Sequence, residues 1–159
     1  MTTPLRLRAV DTIDLSVIAA HLQDAVAQVA DMAFKPKERR FAIMFNRFMW
    51  EDVQDAAGKG AQADKNAPYR RVRSVLHFDG VMKVQSQGMR LDRKEAVAEI
   101  LTIAFEPKDD VAGTITITFA GGGAIKLEVE ALDAWLSDVS QPWSTKNLPD
   151  HGVGDEPLG

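Results

Sequence analysis

Two short stretches concentrate groups that can hold an anion. KPKERR places Lys35, Lys37, Arg39 and Arg40 within one connection, and YRRVR sets Arg71 and Arg73 two positions apart, on one face of any strand. Guanidinium groups clamp carboxylates and phosphates through paired N–H donors, so these six cations form a candidate anion or partner surface if their strands are neighbours. The wider charge pattern supports that choice. Residues 35–94 carry fourteen Lys/Arg against seven Asp/Glu, a balance of +7, and the remainder carries five against sixteen, a balance of −11.

The other chemical candidates are weaker. Gly121, Gly122 and Gly123 would suit a phosphate cradle only if a helix followed, because the anion needs free helix N–H groups. His21, His77 and His151 share neither a helix turn nor a strand face in the way a metal site requires, so no metal site is expected. His21 has Asp24 close by but no serine or cysteine nucleophile to activate. Glu128 and Glu130 face one way along a strand, the ordinary outcome for a sheet face in water, and Asp109–Asp110 reads as a turn. With no cysteine, thiolate zinc sites, iron–sulfur clusters and disulfides are excluded. No catalytic residue and no cofactor is assigned. An acidic pI of about 5.4 and the lack of a recognition motif argue against nucleic acid.

These groups must be positioned by one domain, expected over residues 1–145, since 159 residues suffice for a single core. Leu5 and Leu7 alternate with Arg6 and Arg8 as a strand. Asp11 or Thr12 caps a helix over about 12–24, with Leu15, Ile18 and Leu22 on one stripe. From Val26 the apolar period becomes two. VAQVADMAF and RFAIMFNRFMWE read as a hairpin, with Phe41, Ile43 and Phe45 on one face. Residues 52–68 lack bulky apolar side chains and read as a flexible loop, and 146–159 read as a flexible tail.

RRVRSVLHF and VMKVQ form a second expected hairpin, bulged at Asp79–Val81, and EILTIAFEP a strand with Leu101, Ile103 and Phe105 together. TITITFAGGGAIKLEVE then folds at Gly122, pairing Phe119 with Ile125 and Ile117 with Leu127, so the glycines turn a corner. Leu132, Trp135, Leu136 and Val139 predict a C-terminal helix ending before Pro142, with Trp143 pinning the terminus or meeting a partner. The fold class is α+β, mainly antiparallel β. The sheet is expected to be bent or a partly open barrel, similar to the pleckstrin-homology-like architecture, with an N-terminal and a C-terminal helix.

DLSVIAAHLQDAV, RRFAIMFNRFMWE, RRVRSVLHF, ILTIAFEP and FAGGGAIKLEVEALDAWLSD together resemble a bacterial family, domain-of-unknown-function family 2948, over nearly all of the chain before the tail. The resemblance implies a small cytoplasmic bacterial protein and supplies no reaction, cofactor or site residue. No segment reaches the roughly 20 apolar residues of a membrane span, which agrees with a soluble, cytoplasmic protein. The favoured function is a non-enzymatic binding or interaction module with a basic contact surface for a protein partner, a second copy or a small anion. The alternative is a small-molecule binder or enzyme with a pocket near Trp135, using His21 or the paired glutamates.

Overall fold

The structure, a computed structural model, describes residues 4–53 and 69–145. The expected tail, most of the expected loop and His151 lie outside those residues. Among the described residues the chain runs β1 (Arg6–Ala9), α1 (Thr12–His21), β2 (Val26–Gln28), a 3-10 turn (Val29–Asp31), β3 (Met32–Lys35), β4 (Arg40–Phe48) and β5 (Tyr69–Asp79). It continues through β6 (Val81–Gln87), β7 (Val97–Pro107), β8 (Gly113–Phe119), β9 (Ala124–Val129), β10 (Ala134–Asp138) and β11 (Trp143–Thr145). The fold is a mostly antiparallel sheet that is not closed into a barrel, ordered β1-β10-β5-β4-β2-β7-β8-β9-β6, with β3 beside β4 and β11 beside β5.

Alternation determines which face is buried. Phe41, Ile43 and Phe45 of β4, Leu76 and Phe78 of β5, Ile115, Ile117 and Phe119 of β8, and Leu127 of β9 are all at most 4 % exposed and belong to one core. Each such side chain contributes about 1.5–3 kcal/mol on burial. The helix α1 starts where Asp11 accepts a hydrogen bond from the Asp14 N–H, 2.8 Å away, and its Leu15 and Ile18 pack inward as it lies against β1 and β7.

Four expectations are corrected. Residues 132–139 form no helix: Ala134–Asp138 is a strand between β1 and β5, because Leu132, Ala134 and Leu136 point inward at period two. The 3–4 spacing of Leu132, Trp135, Leu136 and Val139 gave the wrong period, since small Ala134 carries the inward position. The second hairpin is also absent. β5 pairs with β4 and β10, while β6 pairs with β9, so Gly80, at φ 72°, is a corner at which the chain passes from one part of the sheet to another.

The register shift between Ile100 and Thr102 is a bulge that turns Leu101 outward, 49 % exposed, while Ile103 and Phe105 pack on the core. The β8–β9 hairpin turns as expected but is centred one residue earlier, at Gly121, which shifts each partner by two: Ile117 pairs with Ile125 and Ile115 with Leu127, and the Phe119 N–H reaches the Gly123 carbonyl at 2.8 Å. A two-residue slip leaves every side chain on its original face, so the hydrophobic pattern could not separate the two registers. Gly121 and Gly122, at φ 88° and 98°, supply the left-handed backbone that the shorter loop demands.

Candidate functional site

The outward face of β1, β10, β5 and β4 carries the alternate residues that the core does not use. Register across it aligns Arg8, Trp135, His77 and Ala42 in one row, with Arg6, Ser137, Val75 and Met44 in the next. The Arg8 guanidinium lies 4.7 Å from the centre of the Trp135 ring, and His77 stacks on that ring with centroids 6.0 Å apart and planes 11° apart. Arg8 also pairs with Asp133 at 3.1 Å. His77 approaches Asp79 at 3.6 Å, and Asp79 binds Arg40 at 2.7 Å.

Burial and these contacts shift the ionisation of His77 and Arg40. Burial, then the charge of Arg40, pushes the His77 pKa below its ordinary value, and Asp79 and Asp133 oppose the shift without reversing it. His77 is therefore neutral near pH 7. Arg40 is held charged mainly by its hydrogen bond to Asp79.

The six cations chosen from the sequence fall into two groups on adjacent strands. Lys35, Lys37, Arg39 and Arg40 surround the β3–β4 turn, where Arg39 takes a left-handed φ of 52° and pairs with Glu130. Arg40 lies opposite Asp79, whereas Arg71 and Arg73 lie opposite Phe48 and Asn46, near the other end of β5. At about 3.3 Å per residue, six to eight positions along β4 separate the groups by roughly 20–26 Å. Lys35 and Arg40 share the outward face with Arg71 and Arg73, but the two groups do not converge on one small anion. Arg71 lies 5.9 Å from the Phe48 ring centre, and Arg73 Nε donates to Asn46 Oδ1 at 3.3 Å. Beside Arg73 opens a polar groove of about 360 Å³ bordered by Gln28, Asp31, Met44 and Asn46.

Neither set of groups proposed for an enzymic alternative assembles. His21 Nδ1 contacts the Val17 carbonyl at 2.9 Å on the exposed side of α1. Glu130 pairs with Arg39, and Glu128 sits between Thr114 and Lys83 in the strand register. Among the described residues no three His, Asp or Glu side chains gather as metal ligands. Trp143 pairs with Arg71 as the first residue of β11, which ties the C-terminal segment to β5.

Sequence reasoning missed Arg47, which is fully buried at the end of the core. Its Nε and Nη2 bind the two Asp138 oxygens at 3.0 and 3.1 Å, and its Nη1 and Nη2 bind Glu51 at 3.0 and 2.9 Å. Ser74 Oγ–H and the Leu5 N–H complete Asp138 at 2.6 and 3.0 Å. The signal was present: Arg47 occupies the inward parity of Phe41, Ile43 and Phe45, where a lone cation requires a buried partner. Its donors are spent within the fold, so it makes a structural clasp and not a contact surface.

With this geometry in place, the chain belongs to the family described as "Protein of unknown function (DUF2948)", whose sequence profile matches residues 5–151. No curated protein and no solved structure matches the chain. Among the described residues no helix is long and apolar enough to cross a membrane.

Proposed function

We propose that this chain is a non-enzymatic binding module that presents the outward face of β1, β10, β5 and β4 to an acidic protein surface. The observation that carries the reading is charge. Arg6, Arg8, Arg40, Arg71, Arg73 and Lys35 stand on that face with Asp79 and Asp133, and Asp31 at its border, in a chain whose net charge is −4. A basic face on an acidic protein steers an acidic partner to one side of the molecule. A span of some 20 Å between the two cation groups suits an extended protein surface better than a single phosphate. The alternative of a pocket at Trp135 draws less support, because Arg8 lies over that ring and His77 stacks on it.

The test compares two charge reversals of equal size. Arg6→Glu with Arg73→Glu removes cations from the proposed face, and Lys108→Glu with Lys126→Glu removes them from strands and turns elsewhere. Retention on immobilised poly-L-glutamate is read as the salt concentration at elution. The first variant should elute at clearly lower salt than the second, with thermal midpoints alike. Equal losses would mean that only net charge matters and would remove this face as the contact surface.

A further inference from the structure

Among the described residues the terminal strand β6 is paired on one edge only, with β9. Near its start the other edge meets the β3–β4 turn, where the Val81 N–H donates to the Arg39 carbonyl at 2.9 Å, and beyond Val81 that edge has no strand beside it among the described residues. Antiparallel alternation fixes which amides lie there. The Phe119 N–H bonds the Gly123 carbonyl, so odd-numbered residues of β9 bond β8, and Ala124, Lys126 and Glu128 face Gln87, Gln85 and Lys83. The Val84 and Ser86 amides therefore point to the open edge.

Beside that edge runs an apolar groove of about 270 Å³. Met32 and Phe34 of β3, Phe41, Val84, Ile125 and the 46 % exposed Leu91 line it. Among the described residues β3 also has a strand on one side only, namely β4. The volume falls below the roughly 300–1,000 Å³ of a site for a drug-sized ligand, which suits a few aliphatic side chains. Lys94 lines the groove, Lys83 stands beside Val84 and Lys35 ends β3; among the described residues none of the three makes an ion pair.

We propose that this seam receives an extended acidic peptide of a partner protein as an added strand against β6. Its carbonyls accept from the Val84 and Ser86 amides, its alternate apolar side chains enter the groove, and its intervening carboxylates face Lys83 and Lys35. The lysines decide the occupant. A second copy adding its own β6 would bring a further Lys83 to a cationic seam and no carboxylate, and lysine on an edge strand works against self-pairing. The site is separate from the basic sheet face, sharing only Lys35 at its margin.

The probe is a capped nine-residue peptide alternating valine and glutamate, with a valine–lysine peptide as control, added to the 15N-labelled full chain. Amide hydrogen exchange at Val84 and Ser86 should slow about tenfold or more at saturation with the first peptide and stay unchanged with the second. Val84→Pro should abolish the Ser86 effect, and Lys83→Glu should transfer the response to the valine–lysine peptide. Protection by neither peptide, or equally by both, would overturn the proposal. So would protection without peptide that rises with protein concentration, which makes a second copy the occupant, or that vanishes on removal of residues 146–159, which makes the chain's own terminus the occupant. The Arg6→Glu, Arg73→Glu variant should retain peptide protection, so failure of the basic face and failure of this seam are read separately.

Discussion

Arg47 and Asp138, ninety-one positions apart, meet through two hydrogen bonds of 3.0 and 3.1 Å, with Arg47 fully buried and the Asp138 side chain 5 % exposed. The pair joins β4 to β10, and Asp138 also holds β5 through Ser74 and the chain before β1 through Leu5. Breaking a buried pair leaves a charge uncompensated, which costs several times the value of an exposed ion pair. Asp138→Asn keeps the shape and removes the charge, leaving the buried Arg47 with the more exposed Glu51 as its carboxylate partner. It should cost about 3 kcal/mol in denaturant unfolding. A loss below about 1 kcal/mol would show that Glu51 alone satisfies the guanidinium.

The same network sets the acid limb of stability. Burial works against ionisation of Asp138, but hydrogen bonds from Arg47, Ser74 and Leu5 outweigh it and hold the pKa below the usual carboxylate range; Glu51 is lowered in the same sense, chiefly by Arg47. A carboxylate with a folded pKa below its unfolded one contributes stability that is complete above the unfolded value and is lost as pH falls through the folded value. Unfolding free energy should therefore decline below about pH 4, and Asp138→Asn should flatten that decline. Parallel pH profiles for the two proteins would refute this assignment.

Trp135 and Leu136 are adjacent in β10 but face opposite ways, which separates a strand from a helix by mutation. Leu136 is fully buried, so Leu136→Ala should cost about 2–5 kcal/mol. Trp135→Ala removes a half-buried ring from the outward row and should cost less, about 1–2 kcal/mol. Trp135→Phe should be close to neutral, because the enclosed indole Nε1 has no hydrogen-bond partner and phenylalanine discards that donor. Guanidinium unfolding of the three variants gives the order directly. A greater loss for Trp135→Ala than for Leu136→Ala would reverse the facing of the strand.

His77 provides a local probe of the basic face. Its pKa, lowered first by burial and then by Arg40, should appear in an NMR titration below the ordinary value near 6.5. Arg40→Gln removes a repelling charge and releases Asp79, so the titration should move upward. An unmoved midpoint would mean that burial alone sets it.

What the sequence discloses here depends on how strictly a residue's period is enforced. β4 and β8 are legible because each holds three large apolar residues at successive inward positions, Phe41, Ile43, Phe45 and Ile115, Ile117, Phe119, and both series are buried. β10 is not, because its inward row includes Ala134, whose small side chain weighs little in a periodicity argument, while Trp135 on the outside weighs heavily. The corner at Gly80 looks like a hairpin in the sequence because a bend and a turn use the same glycine, and only strand pairing distinguishes them. The basic residues were visible as a cluster, yet their division between two ends of β5 depends on register, which charge does not encode.

Gly113 and Gly121 separate two reasons for glycine. Gly113 starts β8 against β7, and a Cβ there would strike the Glu106 carbonyl and the Phe105 ring, 2.7 Å away. Relief requires the backbone of two paired strands to part. Gly121 has open space around it but sits at φ 88°, so Gly121→Ala brings only the cost of a left-handed L-residue, about 1–2 kcal/mol. Gly113→Ala should therefore be the more destabilising in thermal unfolding, although it occupies ordinary extended backbone and Gly121 does not. Asparagine, which tolerates the left-handed region, should recover part of the loss at position 121 and none at 113. The reverse ranking would mean that the turn, and not the close approach of β7 and β8, is the tighter constraint on this hairpin.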